Sequence, residues 1–164
     1  MNYYNITYDD MLNGEGLRVV LWVCGCDHFC PKCHNPGTWD ENGGLPFTEE
    51  TKQEIFSYME KDYVTGITFS GGDPLYKNNR GTVLNFAKEI KEKFPKKDIW
   101  LYTGFMYEEV FELPNFEYID VLVDGEFKID LFDEKLYWKG SSNQRVIDLV
   151  KTRETGKICI LGGE

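Results

Sequence analysis

Four of the five cysteines fall within ten residues: Cys24, Cys26, Cys30 and Cys33. Cys26, Cys30 and Cys33 form the pattern C-x3-C-x2-C, with His28 inside it and His34 directly after it. Cysteine offers a soft sulfur donor that binds as thiolate, which iron–sulfur clusters and zinc both accept. Three thiolates at this spacing can wrap one corner of a 4Fe–4S cubane and ligate three irons. The fourth iron is then open to a ligand, by the logic that separates catalytic from structural zinc. A second reading is a structural zinc site in a zinc-bound interaction module, with Cys24, His28 or His34 completing a tetrahedral set. Structural zinc motifs usually pair two C-x2-C units, and this chain carries one. Cys24 reads as a buried, unligated thiol at a strand end, and the distant Cys159 as a small buried hydrophobe. Disulfides explain the cluster poorly, because the polar, acidic start MNYYNITYDDMLNGEG is unlike a secretory signal.

The loop must be carried by regular elements. Leu17 to Val23 (LRVVLWV) is an apolar run broken only by Arg18, and it predicts a strand leading into the cysteines. Thr48 can cap a helix whose first turn holds Glu49 and Glu50 and whose buried stripe is Ile55, Phe56 and Met59. Ile67 to Ser70 predicts a second strand. Val83, Ala87, Ile90 and Phe94 recur at helical spacing until Pro95 stops them. Asp98 to Tyr102 predicts a third strand, Met106 to Leu113 a short helix, and Ile119 to Val123 a fourth strand. Val146 to Val150 and Ile158 to Leu161 read as two further strands.

Strands alternating with helices predict parallel β/α units. A full eight-stranded barrel needs about 200 residues or more, so a partial, open barrel or a small doubly wound sheet remains. We read 1–164 as one domain, with its motifs between 13 and 145 and the segment 146–164 unassigned. Each of the four strands runs into a Gly-rich or polar motif: CGCDHFCPKCHN, SGGDP, YTG and VDGEF. In parallel β/α folds these carboxyl ends lie side by side, where ligands bind. Gly71 and Gly72 leave backbone bare for a ligand to approach, although GGDP is also ordinary turn chemistry.

The cysteine spacing after a first strand resembles the radical S-adenosylmethionine superfamily. VCGCDHFCPKCHNPGTWD is similar to the activating enzymes of glycyl-radical enzymes. SGGDPLY, DIWLYTGF, VDGEF and WKGSSNQR resemble the subgroup that activates anaerobic (class III) ribonucleoside-triphosphate reductase. His34, within CHN, also matches the activase of pyruvate formate-lyase, an alternative partner. The resemblance implies an α/β partial, open (β/α) barrel of the radical SAM type, with parallel strands and helices outside. It implies a 4Fe–4S cluster on Cys26, Cys30 and Cys33, and reductive cleavage of S-adenosylmethionine to produce a glycyl radical on the reductase. Gly71, Gly72 and Asp73 then face the methionine ammonium, and Lys32, Cys33 and His34 lie beside the adenine. Tyr102, Thr103 and Asp124 contact the methionine carboxylate, the ribose or the incoming peptide. Electrons come from an external donor such as flavodoxin. The cofactors carry the chemistry, so no side chain is assigned as acid or base.

Composition bounds the alternatives. The formal net charge of -10 repels a phosphate backbone, which argues against direct nucleic-acid binding. No stretch is long and apolar enough for a membrane helix, and a cytoplasmic protein is expected. GSSNQR reads as a polar wall, a partner surface or a solvated loop.

Overall fold

The computed structural model describes residues 1–33 and 36–162. The strands are β1 (Asn2–Asp10), β2 (Leu17–Val23), β3 (Leu45–Pro46), β4 (Val64–Gly71), β5 (Asp98–Tyr102), β6 (Val121–Asp124) and β7 (Arg145–Asp148). The α-helices are α1 (Glu49–Met59), α2 (Arg80–Lys93), α3 (Tyr107–Val110) and α4 (Leu149–Thr155). The strands form one seven-stranded sheet in the order β3-β1-β2-β4-β5-β6-β7. Its centre, β2-β4-β5-β6, is parallel, while β1 and β7 pair antiparallel at its flanks.

Alternation along the central strands separates two faces. Val19, Leu21, Ile67, Phe69, Ile99, Leu101 and Leu122 join the larger apolar core with α1 and α2. The Thr48 hydroxyl caps α1 by accepting from the Thr51 amide, and Thr51 returns a bond to the Thr48 amide, as the sequence predicted for this helix start. Ile55, Phe56 and Met59 are buried, as are Val83, Ala87 and Ile90 of α2. The opposite face carries Arg18, Thr68, Ser70, Trp100 and Tyr102, with a smaller cluster of Trp100, Val121, Val123 and Val146.

Arg18 interrupts the apolar run of β2 for a reason visible only across the sheet. Its guanidinium is fully buried and pairs with Asp98 at 2.6 Å. It also donates to Thr68 Oγ1, the Ile67 carbonyl and the Glu15 carbonyl. Trp100 stacks beneath it, 5.4 Å from ring centroid to Cζ.

The structure corrects several expectations. The polar N-terminal stretch is a nine-residue strand, β1. Two register shifts against β2 break its period-two pattern, so alternation gave no signal. The all-parallel expectation holds only in the centre. Val146 to Val150 is not a single strand, because Asp148 caps α4 by accepting from the Lys151 amide and turns Leu149 and Val150 into helix. Ile158 to Leu161 supplies one bridge, Ile147 to Ile160, rather than a strand. The Met106 to Leu113 helix is reduced to α3. Cys159 is half-buried beside Thr155, not enclosed in a core. No described helix is long and apolar enough to cross a membrane.

Candidate functional site

The loops after β2 and β4 are built against each other. Gly72 donates to the Val23 carbonyl and Asp73 donates to the Gly25 carbonyl, at 2.8 and 2.7 Å. Gly25 and Cys26 in turn donate to the Thr38 and Trp39 carbonyls, which closes the cysteine loop at its base. Gly71 has φ +109, and a Cβ there would sit 2.5 Å from the Val23 backbone. A Cβ on Gly72 would lie 2.6 Å from the Gly25 carbonyl oxygen. The two glycines are therefore required by this chain's own backbone packing, whatever ligand approaches them.

Cys26, Cys30 and Cys33 are half-buried thiols, and all three line one cavity of about 620 Å³. Gly71, Gly72, Asp73, Tyr102 and Thr103 line the same cavity. With Gly125 after β6 also in the lining, four loops distant in sequence meet at the carboxyl ends of parallel strands. Cys24 is fully buried and stands outside the cavity lining. Phe29 and Lys32 have φ of 49 and 60, so the loop wraps through two left-handed non-glycine residues. Lys32 itself is exposed and does not line the cavity.

Burial pushes the Cys26 thiol up to about 12, against the amides of His28 and Phe29, and burial raises Cys30 as well. A metal that displaces these protons relieves the cost of buried thiolate. Among the described residues no three His, Cys, Asp or Glu side chains gather around a point that could hold a single ion. A cubane asks for a different arrangement, with each thiolate on its own iron. Three thiols along one cavity wall fit that donor set.

His28 has a role the sequence did not suggest. Its Nε2 donates to Asp73 Oδ2 at 2.7 Å and its Nδ1 to Glu126 Oε2 at 2.9 Å. A ring donating from both nitrogens is protonated. The Asp73 bond is the main cause that lifts its pKa to about 9, against desolvation. Asp73, 1% exposed, also accepts from the Leu75 amide, the Thr103 hydroxyl and the Gly104 amide. Its oxygens are thus met by four donors of this chain. Only the carboxylates of SGGDP and VDGEF hinted at such partners for His28.

The remaining predicted residues divide. Tyr102 lines the cavity, and its hydroxyl is buried with no hydrogen-bond partner among the described residues. Asp124 is not brought to the cavity. It faces the helix side, where Arg145 Nη2 and Nε and the Tyr107 amide reach it at 2.5, 3.1 and 2.8 Å. His34 lies outside the described residues. Thr38 and Trp39 order the loop through their carbonyls, and Trp39 meets the Phe29 ring edge-on at 5.1 Å. The β6–β7 connection walls the cavity through Gly140 and Gln144 of the GSSNQR segment, read from the sequence as a polar wall among other options, and through Phe132 and Trp138, which the sequence did not single out. Gln144 secures that connection, accepting from the Gly140 and Ser141 amides and donating to the Gly125 carbonyl. Trp138 meets Trp100 edge-on at 5.0 Å.

Comparison with known proteins agrees with this site. The family described as 4Fe-4S single cluster domain matches residues 12–147. An anaerobic ribonucleoside-triphosphate reductase-activating protein of Enterobacteria phage T4 is 45% identical over 146 residues, 89% of this chain and 93% of the relative. The protein of that name in Escherichia coli (strain K12) is 41% identical over 150 residues, 89% of this chain and 97% of the relative. That of Pasteurella multocida (strain Pm70) is 39% identical over 150 residues, covering 88% and 95%. With cysteines, glycine turn and cavity wall all inside the matched span, the chain belongs to the family of anaerobic ribonucleoside-triphosphate reductase-activating proteins, built on a 4Fe-4S single cluster domain.

Proposed function

We propose that this chain activates anaerobic ribonucleoside-triphosphate reductase as a radical S-adenosylmethionine enzyme, with the sheet as a partial, open barrel of that type. The observation that carries the reading is the single cavity shared by Cys26, Cys30, Cys33 and the Gly71–Gly72 turn. Helices α1 and α2 on one face of the sheet and the cavity on the other support the barrel. When bound, a reduced 4Fe–4S cluster with one open iron supplies the electron that cleaves S-adenosylmethionine, giving a carbon radical able to take hydrogen from a backbone glycine of the reductase.

The chain's own residues bind, orient and exclude water. Cys26, Cys30 and Cys33 hold the cluster as thiolates. The Gly71 and Gly72 backbone presents carbonyls to the ligand ammonium, while Asp73, already met by four internal donors, holds the turn in shape. The Tyr102 hydroxyl donates to a polar atom of the ligand, which satisfies an otherwise orphaned group. Thr103 acts through Asp73, and Asp124 holds the wall through Arg145. Phe132 and Trp138 exclude water, which matters because a primary carbon radical attacks almost any neighbouring C–H bond. The electron donor is external, a flavodoxin-like protein.

Anaerobic reconstitution with iron and sulfide, followed by incubation with S-adenosylmethionine, a reductant and the reductase, tests the reading. About four irons per chain, 5′-deoxyadenosine, and a glycyl radical signal on the reductase are expected. A colourless chain holding tetrahedral zinc on four protein ligands would refute it.

A further inference from the structure

The imidazole of His28 stands two residues from Cys26 and two from Cys30, at the middle of the cysteine loop. Within the loop, the amides of His28 and Phe29 face the Cys26 thiol. The loop's base is closed by the Cys26 amide on the Trp39 carbonyl, and its end by a turn from the Cys33 amide to the Cys30 carbonyl. Between these points the chain passes through the left-handed Phe29. The side chain of His28 reaches furthest across the sheet ends. It is 12% exposed and bonds one carboxylate after β4 and another after β6. Its ring meets Phe105, after β5, edge-on at 4.7 Å. Gly104 makes room for it, since a Cβ there would fall 2.6 Å from the ring.

We infer that His28 is a positioning residue that pins the middle of the cysteine loop to the ends of three strands, through Asp73, Phe105 and Glu126, and so sets where the cluster sits relative to the ligand turn. This inference rests on the cluster reading proposed above. Asp73 is a rigid post, because the Leu75 amide, the Thr103 hydroxyl and the Gly104 amide already orient it. It directly follows Gly71 and Gly72, so the bond from His28 links the loop to the segment that faces the ligand. Neither ring nitrogen remains available to ligate metal, so His28 orients the thiolates without joining them. Such supporting hydrogen bonds around a metal centre usually control activity by about 10- to 100-fold.

The test compares wild-type protein with His28→Phe, which fills the ring's space but donates no hydrogen bond, and with Glu126→Gln, which weakens one half of the bridge. In the metal-free protein, hydrogen–deuterium exchange over residues 26–33 is expected to rise in His28→Phe. In the reconstituted protein, His28→Phe is expected to keep its iron and sulfide, because the three thiols remain. It is expected to lose the change that S-adenosylmethionine causes in the paramagnetic resonance of the reduced cluster, and to form 5′-deoxyadenosine roughly 10-fold more slowly or worse. Glu126→Gln is expected to change the same readouts less, and its effect is expected to vanish in the His28→Phe background. Faster exchange with an unchanged cofactor response would overturn the inference, since His28 would then only stiffen a loop. Unchanged exchange and unchanged turnover would overturn it as well. If His28→Phe does not fold, Glu126→Gln decides by the same readouts. A wild-type protein that takes up no iron and sulfide refutes the cluster reading instead, and the metal-free exchange still shows whether the pin exists.

Discussion

The two faces of the central sheet use the same strands for opposite purposes. Toward the helices, Val19, Leu21, Ile67, Phe69, Ile99 and Leu101 pack into α1 and α2 with no polar atom among their side chains. Toward the cavity, the alternate residues Arg18, Thr68, Ser70, Trp100 and Tyr102 are polar or aromatic, and Ser70 and Tyr102 line the open volume. A close-packed apolar layer gains stability from every buried methylene. A wall that must accept a ligand keeps polar groups and volume in reserve, and its order depends on pairing such as Arg18 with Asp98. Stability therefore comes mainly from one face and chemistry from the other.

Substitutions on each face should separate these roles, and the largest effect belongs to the cavity rim. Replacing Cys26, Cys30 or Cys33 by serine is expected to abolish iron–sulfur incorporation and 5′-deoxyadenosine formation together. Cys159→Ser retains both, as anaerobic iron analysis and product assay would show. Deep on the helix side, Phe69→Ala should cost about 4 kcal/mol in a denaturant titration, the usual penalty for emptying an aromatic core position. On the cavity side, Asp98→Ala strips the carboxylate from a fully buried guanidinium and should cost about 3 kcal/mol.

A pH series sharpens the comparison further. Folding raises the His28 pKa to about 9, so the bridge to Asp73 and Glu126 contributes fully below about pH 6.5, the unfolded value, and is lost as pH rises through about 9. Metal-free protein should lose roughly 3 kcal/mol across that window relative to His28→Gln, as read from paired urea titrations. The smallest change in stability should be that of Tyr102→Phe, within about 1 kcal/mol of wild type, because the hydroxyl removed has no partner. Its effect should instead appear as a raised KM for S-adenosylmethionine.

Much of this division can be read along the chain. The apolar run before the cysteines, the cap at Thr48 and the stripe of α2 all rest on neighbours in sequence, and each recurs in the structure. β1 escaped notice because its bulges break the alternation that marks a strand. Asp124 looked like a ligand contact because it ends a strand, but alternation turns it toward Arg145 while Val123 and Gly125 meet the cavity. Parity along a strand is local, yet the face that holds the cavity is not.

Covalent spacing alone settles that three thiols share one short loop, and the resemblance of the surrounding motifs points to a cluster there. Folding settles what those thiols face. That His28 bonds Asp73 and Glu126, that Gly71 and Gly72 receive backbone of β2 and the cysteine loop, and that Trp138 walls the cavity all depend on residues tens of positions apart. Such pairings arise from sheet register and strand order, which balance contacts over the whole chain and leave no mark in the neighbouring residues.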